Sequence, residues 1–394
     1  MLGLGAAAGA LTAAELRPEP GPARSAADVQ RAGVQAPVPF HGEHQPGIVG
    51  YAPANLIFVG FDLSDNTPAK TREALRVLLR DWSAAAADAM AGKQVGRLDL
   101  TSGLGASGLT VTIGLGASAL VKAGLSESIP DALAPLPAFA GDRIDPARSD
   151  GDLGIQVCAE DQVVAAGAAH ALSNLAGSAL VRPRWFQRGF LRSAAAATQP
   201  DATPRNLMGQ IDGTNNPKPG DPAFDAAVWA AGPAWLRGGT YLVCRRIRML
   251  LRKWENVPLE EQERIIGRRK DTGAPLSGGY EHTAPDFTAL DEQGQPAIPI
   301  SAHIRVTHPD SNNGARMLRR GYSYDDGYDD IGPDAGLFLQ AFQADPRSAF
   351  VAVQRRMVDL DALVTFISHE TSALFAVPPG ASPGGYVGQQ LLEG

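Results

Sequence analysis

Ser301-Ala-His-Ile-Arg-Val-Thr-His-Pro309, continued by Arg316-Met-Leu-Arg-Arg-Gly-Tyr-Ser-Tyr324, places His303 16 residues ahead of the arginine pair Arg319 and Arg320. Ile304, Val306, Met317 and Leu318 give both runs an apolar side, so both are expected to be extended and partly buried. A lone histidine in such a setting is more often a satisfied core residue than a metal ligand. The rest of the chain has to supply the partners that would make it a ligand.

At 394 residues the chain exceeds the size at which a single core usually stops growing, so two packed units are expected. A hydrophobic share of 44% against 20% charged residues describes a globular protein able to bury a large ligand. The net charge of -7 removes the electrostatic reason to expect nucleic acid. Cys158 and Cys244 are far apart and belong to no Cys-x-x-Cys, which argues against a thiolate zinc site, an iron–sulfur cluster or a disulfide framework.

Residues 2 to 14 form a run of small apolar residues, followed by a Pro- and Ala-rich stretch to about Pro39. The run is too short to span a bilayer but looks like the apolar core of a secretory signal without its basic start. Residues 1–39 are therefore expected to be a truncated signal remnant and linker, and no stable membrane insertion is expected of the remaining sequence.

From Phe40 onward the pattern is strand and helix in turn. Asn55 to Leu63 is a compact apolar run of strand length. Leu75, Leu78, Leu79 and Trp82 recur on one face of a helix expected over Pro68 to Met90. Gly108 to Gly116 and Leu153 to Ala159 read as strands, Asp161 to Leu175 as an Ala-rich helix, and Ala179 to Phe190 as a strand. The order strand, helix, strand, strand, helix, strand is ferredoxin-like.

After an Ala/Thr/Pro linker around Ala194 to Pro204 the order recurs. Tyr241 to Leu251 is a strand, and Pro258 opens a helix with Glu260 and Glu261 in its first turn. His303 to Val306, Arg316 to Tyr324 and Gly336 to Gln343 are expected to be extended, with helices over Arg347 to Val358 and Asp361 to His369. The expected class is α+β: two ferredoxin-like units, 40–200 and 201–394, with antiparallel sheets packed face to face and a cavity beside one of them.

Ahead of the second unit lies Asn206-Leu-Met-Gly-Gln-Ile-Asp-Gly-Thr-Asn-Asn-Pro217, which by itself reads as a turn. Set in order with the histidine and arginine stretches, it becomes part of a pattern. Gly209-x-x-Asp212-Gly213-Thr214, Ala302-His303-Ile304-Arg305 and Leu318-Arg319-Arg320-Gly321-Tyr322-Ser323-Tyr324 together resemble the dye-decolorizing peroxidase family. Phe40-His-Gly-Glu-His-Gln-Pro-Gly-Ile48, Gly267-Arg-Arg-Lys-Asp-Thr-Gly-Ala-Pro-Leu276 and Ser372-Ala-Leu-Phe-Ala-Val-Pro-Pro-Gly380 extend the likeness over about residues 40 to 385.

The resemblance implies a peroxidase with one non-covalent haem b per chain, of the dimeric α+β barrel type, with the haem in the C-terminal unit. His303 matches the proximal iron ligand, and Asp212 and Arg319 match the distal pair. Gly213, Thr214 and Asn215 match a segment lying against the haem, and His308, Pro309 and Asp310 match one near its edge. Arg268, Arg305 and Arg320 are available for the propionates. Asp361 is a candidate acceptor for the second nitrogen of His303, or alternatively a helix N-cap.

The implied partners are hydrogen peroxide and small aromatic or dye reductants, and a homo-oligomer is left open. An exported haem-handling or iron-release (deferrochelatase-like) role is the alternative, and twin-arginine export to the periplasm or beyond is usual in the subgroup. Gln210 and Ile211 stand where aromatic and basic residues are frequent, and Asp310 stands where an arginine is. A carboxylate base works at lower pH than a histidine, which predicts an acidic optimum. Trp229, Trp235, Trp254, Tyr322 and Tyr324 are candidates for a surface aromatic that oxidises substrates too bulky for the pocket.

Overall fold

Strand β1, Asn55–Leu63, puts Leu56 and Phe58 on one face and Val59, Phe61 and Leu63 on the other, and all five are buried, so this strand is covered on both sides. The computed structural model describes residues 36–394 apart from 65–66, 97–100, 102, 176, 178–179 and 194–201. The apolar run at 2–14 and most of the linker at 194–204 lie outside the described residues.

The first half continues through helix α1 (Pro68–Met90), β2 (Thr110–Leu115), β3 (Leu153–Ala159), helix α2 (Gln162–Leu175) and β4 (Val181–Phe190). The second half runs β5 (Thr240–Met249), helix α3 (Leu259–Ile266), β6 (Leu318–Asp329), β7 (Gly332–Gln343), helix α4 (Phe350–Leu360) and β8 (Ile367–Val377). The strands form one antiparallel closed barrel in the order β1-β3-β2-β8-β5-β7-β6-β4. Where two packed sheets are expected, their edges are joined as well: Leu115 of β2 pairs with Ala376 of β8, and Phe190 of β4 with Ser323 of β6. Closure leaves no free edge for stray pairing.

The barrel interior is filled by rings from both halves. Phe58 lies 5.7 Å from Phe338 and 5.8 Å from Phe375, centroid to centroid, and is stacked on Trp185 at 5.2 Å. Space for them comes from Gly60, Gly154 and Gly114, which are cross-strand partners in one row. A Cβ at these positions would come within 2.6 Å of Trp185, 2.9 Å of Phe58 and 2.8 Å of Phe375, respectively.

The outer faces of the two halves are treated differently. Over the first half, Leu75, Leu79 and Trp82 of α1 and Val164 and Leu172 of α2 pack into one apolar cluster, and the Trp82 indole N–H donates to the Leu172 carbonyl at 2.8 Å. Over the second half, Ile247 and Met249 of β5 and Leu337 and Leu339 of β7 face Val353 and Met357 of α4 across a cavity.

Two expectations are corrected. His303–Val306 is a single helical turn, with the Val306 and Thr307 amides donating to the carbonyls of Ala302 and His303. Its β-branched residues mimic a strand, but they pack locally, and Ile304 rests on Gly267, where a Cβ would come within 2.7 Å. The stretch from Asp361 to His369 is a short 3₁₀ turn, Ala362–Phe366, leading into β8. Polar residues hid that strand, because Ser368, His369 and Thr371 are all buried. The helix expected from Arg347 begins at Phe350.

Candidate active site

The His303 turn hangs its imidazole between Asp361 and the cavity. Nδ1 lies 2.7 Å from Asp361 Oδ2, while Asp361 Oδ1 accepts the Leu363 amide at 2.9 Å, so this aspartate is both the histidine's acceptor and a cap. The Asp361 side chain is wholly buried. Burial alone would lower the pKa of His303, but the charge and hydrogen bond of Asp361 outweigh it and hold the pKa above the ordinary value. With Nδ1 committed to the carboxylate, Nε2 is the nitrogen left for the cavity that His303 lines.

The loop 206–217 lines the same cavity. Asn206 Oδ1 accepts the amides of Met208 and Gln210, and its side-chain amide reaches Asp212 Oδ2 at 3.4 Å. Gly213 has φ of +123°, which a side chain would rarely adopt, and turns the chain directly after Asp212. Asn216 then clips the loop to β6, donating to the Arg319 carbonyl at 2.7 Å and accepting the Arg319 amide at 3.1 Å. The clip brings Arg319 Nη1 to 3.3 Å from Asp212 Oδ1, and both groups are about a third exposed. Asp212 and Arg319 sit in the wall shared by the cavity of His303 and a second, outer cavity.

Gly213, Thr214, Asn215, His308, Pro309 and Arg268 also line the inner cavity. Arg268 is buried and donates to the carbonyls of Gly273 and Glu281, and desolvation lowers its pKa despite the nearby Glu281 carboxylate. Arg316, missed as a candidate although it stands in the opening stretch, lines the same cavity. Burial lowers the pKa of His308, with Arg316 and Arg268 adding to this against the opposing Asp310 carboxylate.

Three expected contacts are not brought to this cavity. Arg305 turns away, donating to the Ile298 carbonyl and lying over the Phe287 ring, and the side chain of Asp310 is 79% exposed beside His308. Arg320 points to the opposite face of β6 from Arg319, because alternate residues of a strand do, and donates to the carbonyls of Gly50 and Tyr51. The aromatic candidates are likewise sorted: Trp235, Trp254, Tyr322 and Tyr324 are buried, and Trp229 is half-buried, stacked on His44.

The inner cavity is thus lined by the His303 imidazole, by apolar side chains from both the sheet and α4, and by the cations Arg268, Arg316 and Arg319. Gln210, in its wall, has a buried Nε2 with no hydrogen-bond partner among the described residues. Such a donor set suits a flat apolar macrocycle with a metal at its centre and anionic substituents at its edge. The Asp212 carboxylate and Arg319 guanidinium in the same lining can move a proton and stabilise a developing negative charge.

The Dyp-type peroxidase N-terminal family model matches residues 45–191, and the C-terminal model matches 203–382. A dye-decolorizing peroxidase of Thermobifida fusca is 44% identical over 416 aligned residues, covering all of this chain and 94% of the relative. A deferrochelatase of Escherichia coli O157:H7 is 32% identical, covering 90% of this chain and 87% of the relative. The solved structure of ferric DtpA from Streptomyces lividans is 48% identical with a TM-score of 0.88, over 92% of this chain and 99% of that one. Matched in both halves and aligned over its whole length, this chain belongs to the Dyp-type peroxidase family.

Proposed function

We propose that this chain is a haem b peroxidase in which His303 would hold the haem iron and Asp212 and Arg319 would act on hydrogen peroxide. The observation that carries the reading is that His303, tied to Asp361 at 2.7 Å, and the Asp212–Arg319 pair line one cavity. The bound haem supplies the iron centre that takes electrons to peroxide and recovers them from a reductant.

Asp361 fixes the tautomer of His303 and makes its Nε2 a stronger donor. Asp212 takes a proton from one peroxide oxygen and returns it to the other as the O–O bond breaks. Arg319, charged at all working pH values, stabilises the departing oxygen. Gly213, Thr214 and Asn215 would lie against the ring, and His308 and Pro309 near its edge. Arg268 and Arg316 would meet the propionates. The reductants are dyes and phenols oxidised in one-electron steps.

The two halves are read as ferredoxin-like units, over residues 40–200 and 201–394. Supporting this, each half has the same order of strands and helices and the same sheet order, fourth, first, third, second. Export by the twin-arginine route, to the periplasm or beyond, is part of the proposal and rests on the apolar run at residues 2–14. Among the described residues no helix is long and apolar enough to cross a membrane.

Iron release is the second reading, favoured by the 32% identity to a deferrochelatase. It requires His303 and a pocket but gives no role to a paired Asp212 and Arg319. The test is to incubate the haem-loaded protein with peroxide and a phenol. Phenol coupling products at two phenols per peroxide are expected, whereas fluorescent metal-free porphyrin without phenol oxidation would favour iron release.

A further inference from the structure

Beyond the Asp212–Arg319 wall lies the outer cavity, of about 980 Å³, which the peroxide step does not use. Its volume is that of a site for a drug-sized molecule. Among the described residues the aromatic side chain in its lining is Tyr51, which is 46% exposed. The backbone of Tyr51 is held by a buried guanidinium: Arg320 donates to the Gly50 carbonyl at 3.2 Å and to the Tyr51 carbonyl at 2.9 Å. Next along the segment, the Pro53 carbonyl accepts the Tyr322 hydroxyl at 3.0 Å. The Tyr51 segment is thus anchored to the strand that carries Arg319.

The charges around this cavity do not balance. Arg192, Arg205, Lys218, Arg319 and Arg320 line it. Among the described residues, three carboxylates stand against these five cations: Asp212, Asp271 and Glu281. Two of the guanidiniums have only neutral acceptors among the described residues: Arg205 donates to the carbonyls of Gly209, Lys270 and Asp271, and Arg320 to those of Gly50 and Tyr51. A concave site with uncompensated positive charge concentrates anions, although the protein as a whole carries a charge of -7.

We propose that this outer cavity is the binding site for the aromatic reductant, and that it selects phenols bearing a carboxylate or sulfonate over neutral ones, with Tyr51 as the ring platform. The proposal rests on the peroxidase reading for what happens next. Each bound phenol gives up one electron and its hydroxyl proton, and two of them supply the two electrons and two protons that turn one hydrogen peroxide into two waters.

The test uses the haem-loaded protein without peroxide and two probes, 4-hydroxycinnamate and its methyl ester, titrated by calorimetry. The acid is expected to bind at least about tenfold more tightly than the ester. Reversing two exposed charges in Arg192→Glu/Lys218→Glu brings that ratio close to one. Tyr51→Ala weakens both probes and leaves the ratio in place, and Tyr328→Phe, at the exposed tip between β6 and β7, changes neither. Equal affinity for acid and ester in the wild type, or a ratio that survives the charge reversal, overturns the proposal. Selective binding with no peroxide-dependent oxidation would count against the peroxidase reading and not against the selectivity of the cavity.

Discussion

Asp361 touches His303 Nδ1 at 2.7 Å with one carboxylate oxygen and the Leu363 amide at 2.9 Å with the other, so one buried side chain sets the imidazole and starts the turn into β8. Asp361→Asn keeps an acceptor for the cap but removes the charge behind the imidazole. The expected outcome is a higher haem reduction potential and turnover reduced about 10- to 100-fold, with little loss of stability. Asp361→Ala should lose about 1 kcal/mol more, because the cap goes as well. Potentiometry and chemical unfolding of the two variants check this, and an unchanged potential in Asp361→Asn would contradict it.

Arg319 and Asp212 are 3.3 Å apart and are expected to work as a unit. Asp212→Asn should slow the absorbance change on mixing with peroxide by about 100-fold or more. Arg319→Leu should cost about 100- to 1,000-fold. The double variant should be little slower than the worse single one, because neither group serves without its partner. Stopped-flow mixing decides, and losses that simply multiply would show that the two act independently.

His369 is buried in the lining of the inner cavity, its Nδ1 accepting from Arg245 at 3.2 Å. Burial, with the Arg245 charge second, lowers its pKa to about 3. In the unfolded chain the ring titrates near 6.5. Between those values the unfolded state holds a proton that the folded state does not, so stability rises with pH by up to about 1.4 kcal/mol per unit from this group. That contribution is complete above about 6.5 and is lost as the pH falls toward 3. Activity on the acid side therefore runs against falling stability. In urea unfolding at pH 4, 5 and 6, His369→Gln should flatten the slope, and an identical slope would rule the histidine out as its source.

Arg246 is 2% exposed and binds Asp334 at 2.5 Å, Asp326 at 3.1 Å and Glu370, with its guanidinium 3.9 Å from the Tyr324 ring centroid. Arg246→Met leaves three acidic side chains without their shared cation, which should cost about 3 kcal/mol in chemical unfolding. Because Arg246 faces the barrel interior, the haem spectrum should be unaltered. A stability loss below about 1 kcal/mol would mean that solvent satisfies these carboxylates without the arginine.

What the sequence made legible follows from how each segment is buried. The apolar run of β1 and the leucine periodicity of α1 are local signals, and both elements appear with the expected bounds. β5 was legible as a strand, but the burial of Arg245, Arg246 and Arg248 was not, because their partners come from Asp142, Asp326, Asp329, Asp334 and Glu370. The start of β8, Ile367 to His369, is expected to be helical from the sequence because its polar residues are buried only once the barrel closes around them. In the site, the order of motifs pointed to His303, Asp212 and Arg319, but which basic residues face the inner cavity depended on local geometry. Arg305 leaves it, Arg316 enters it, and Asn216, whose clip between loop and strand has no sequence signature, went unnoticed.

The most direct measurement is the visible spectrum of the purified, haem-supplied protein beside His303→Ala, before and after one equivalent of hydrogen peroxide. A Soret band that shifts rapidly on peroxide in the wild type, and is lost or strongly altered in His303→Ala, is the predicted result. A Soret band that is the same in both proteins, or that ignores peroxide in the wild type, would contradict the assignment of His303 and of the peroxidase site built around it.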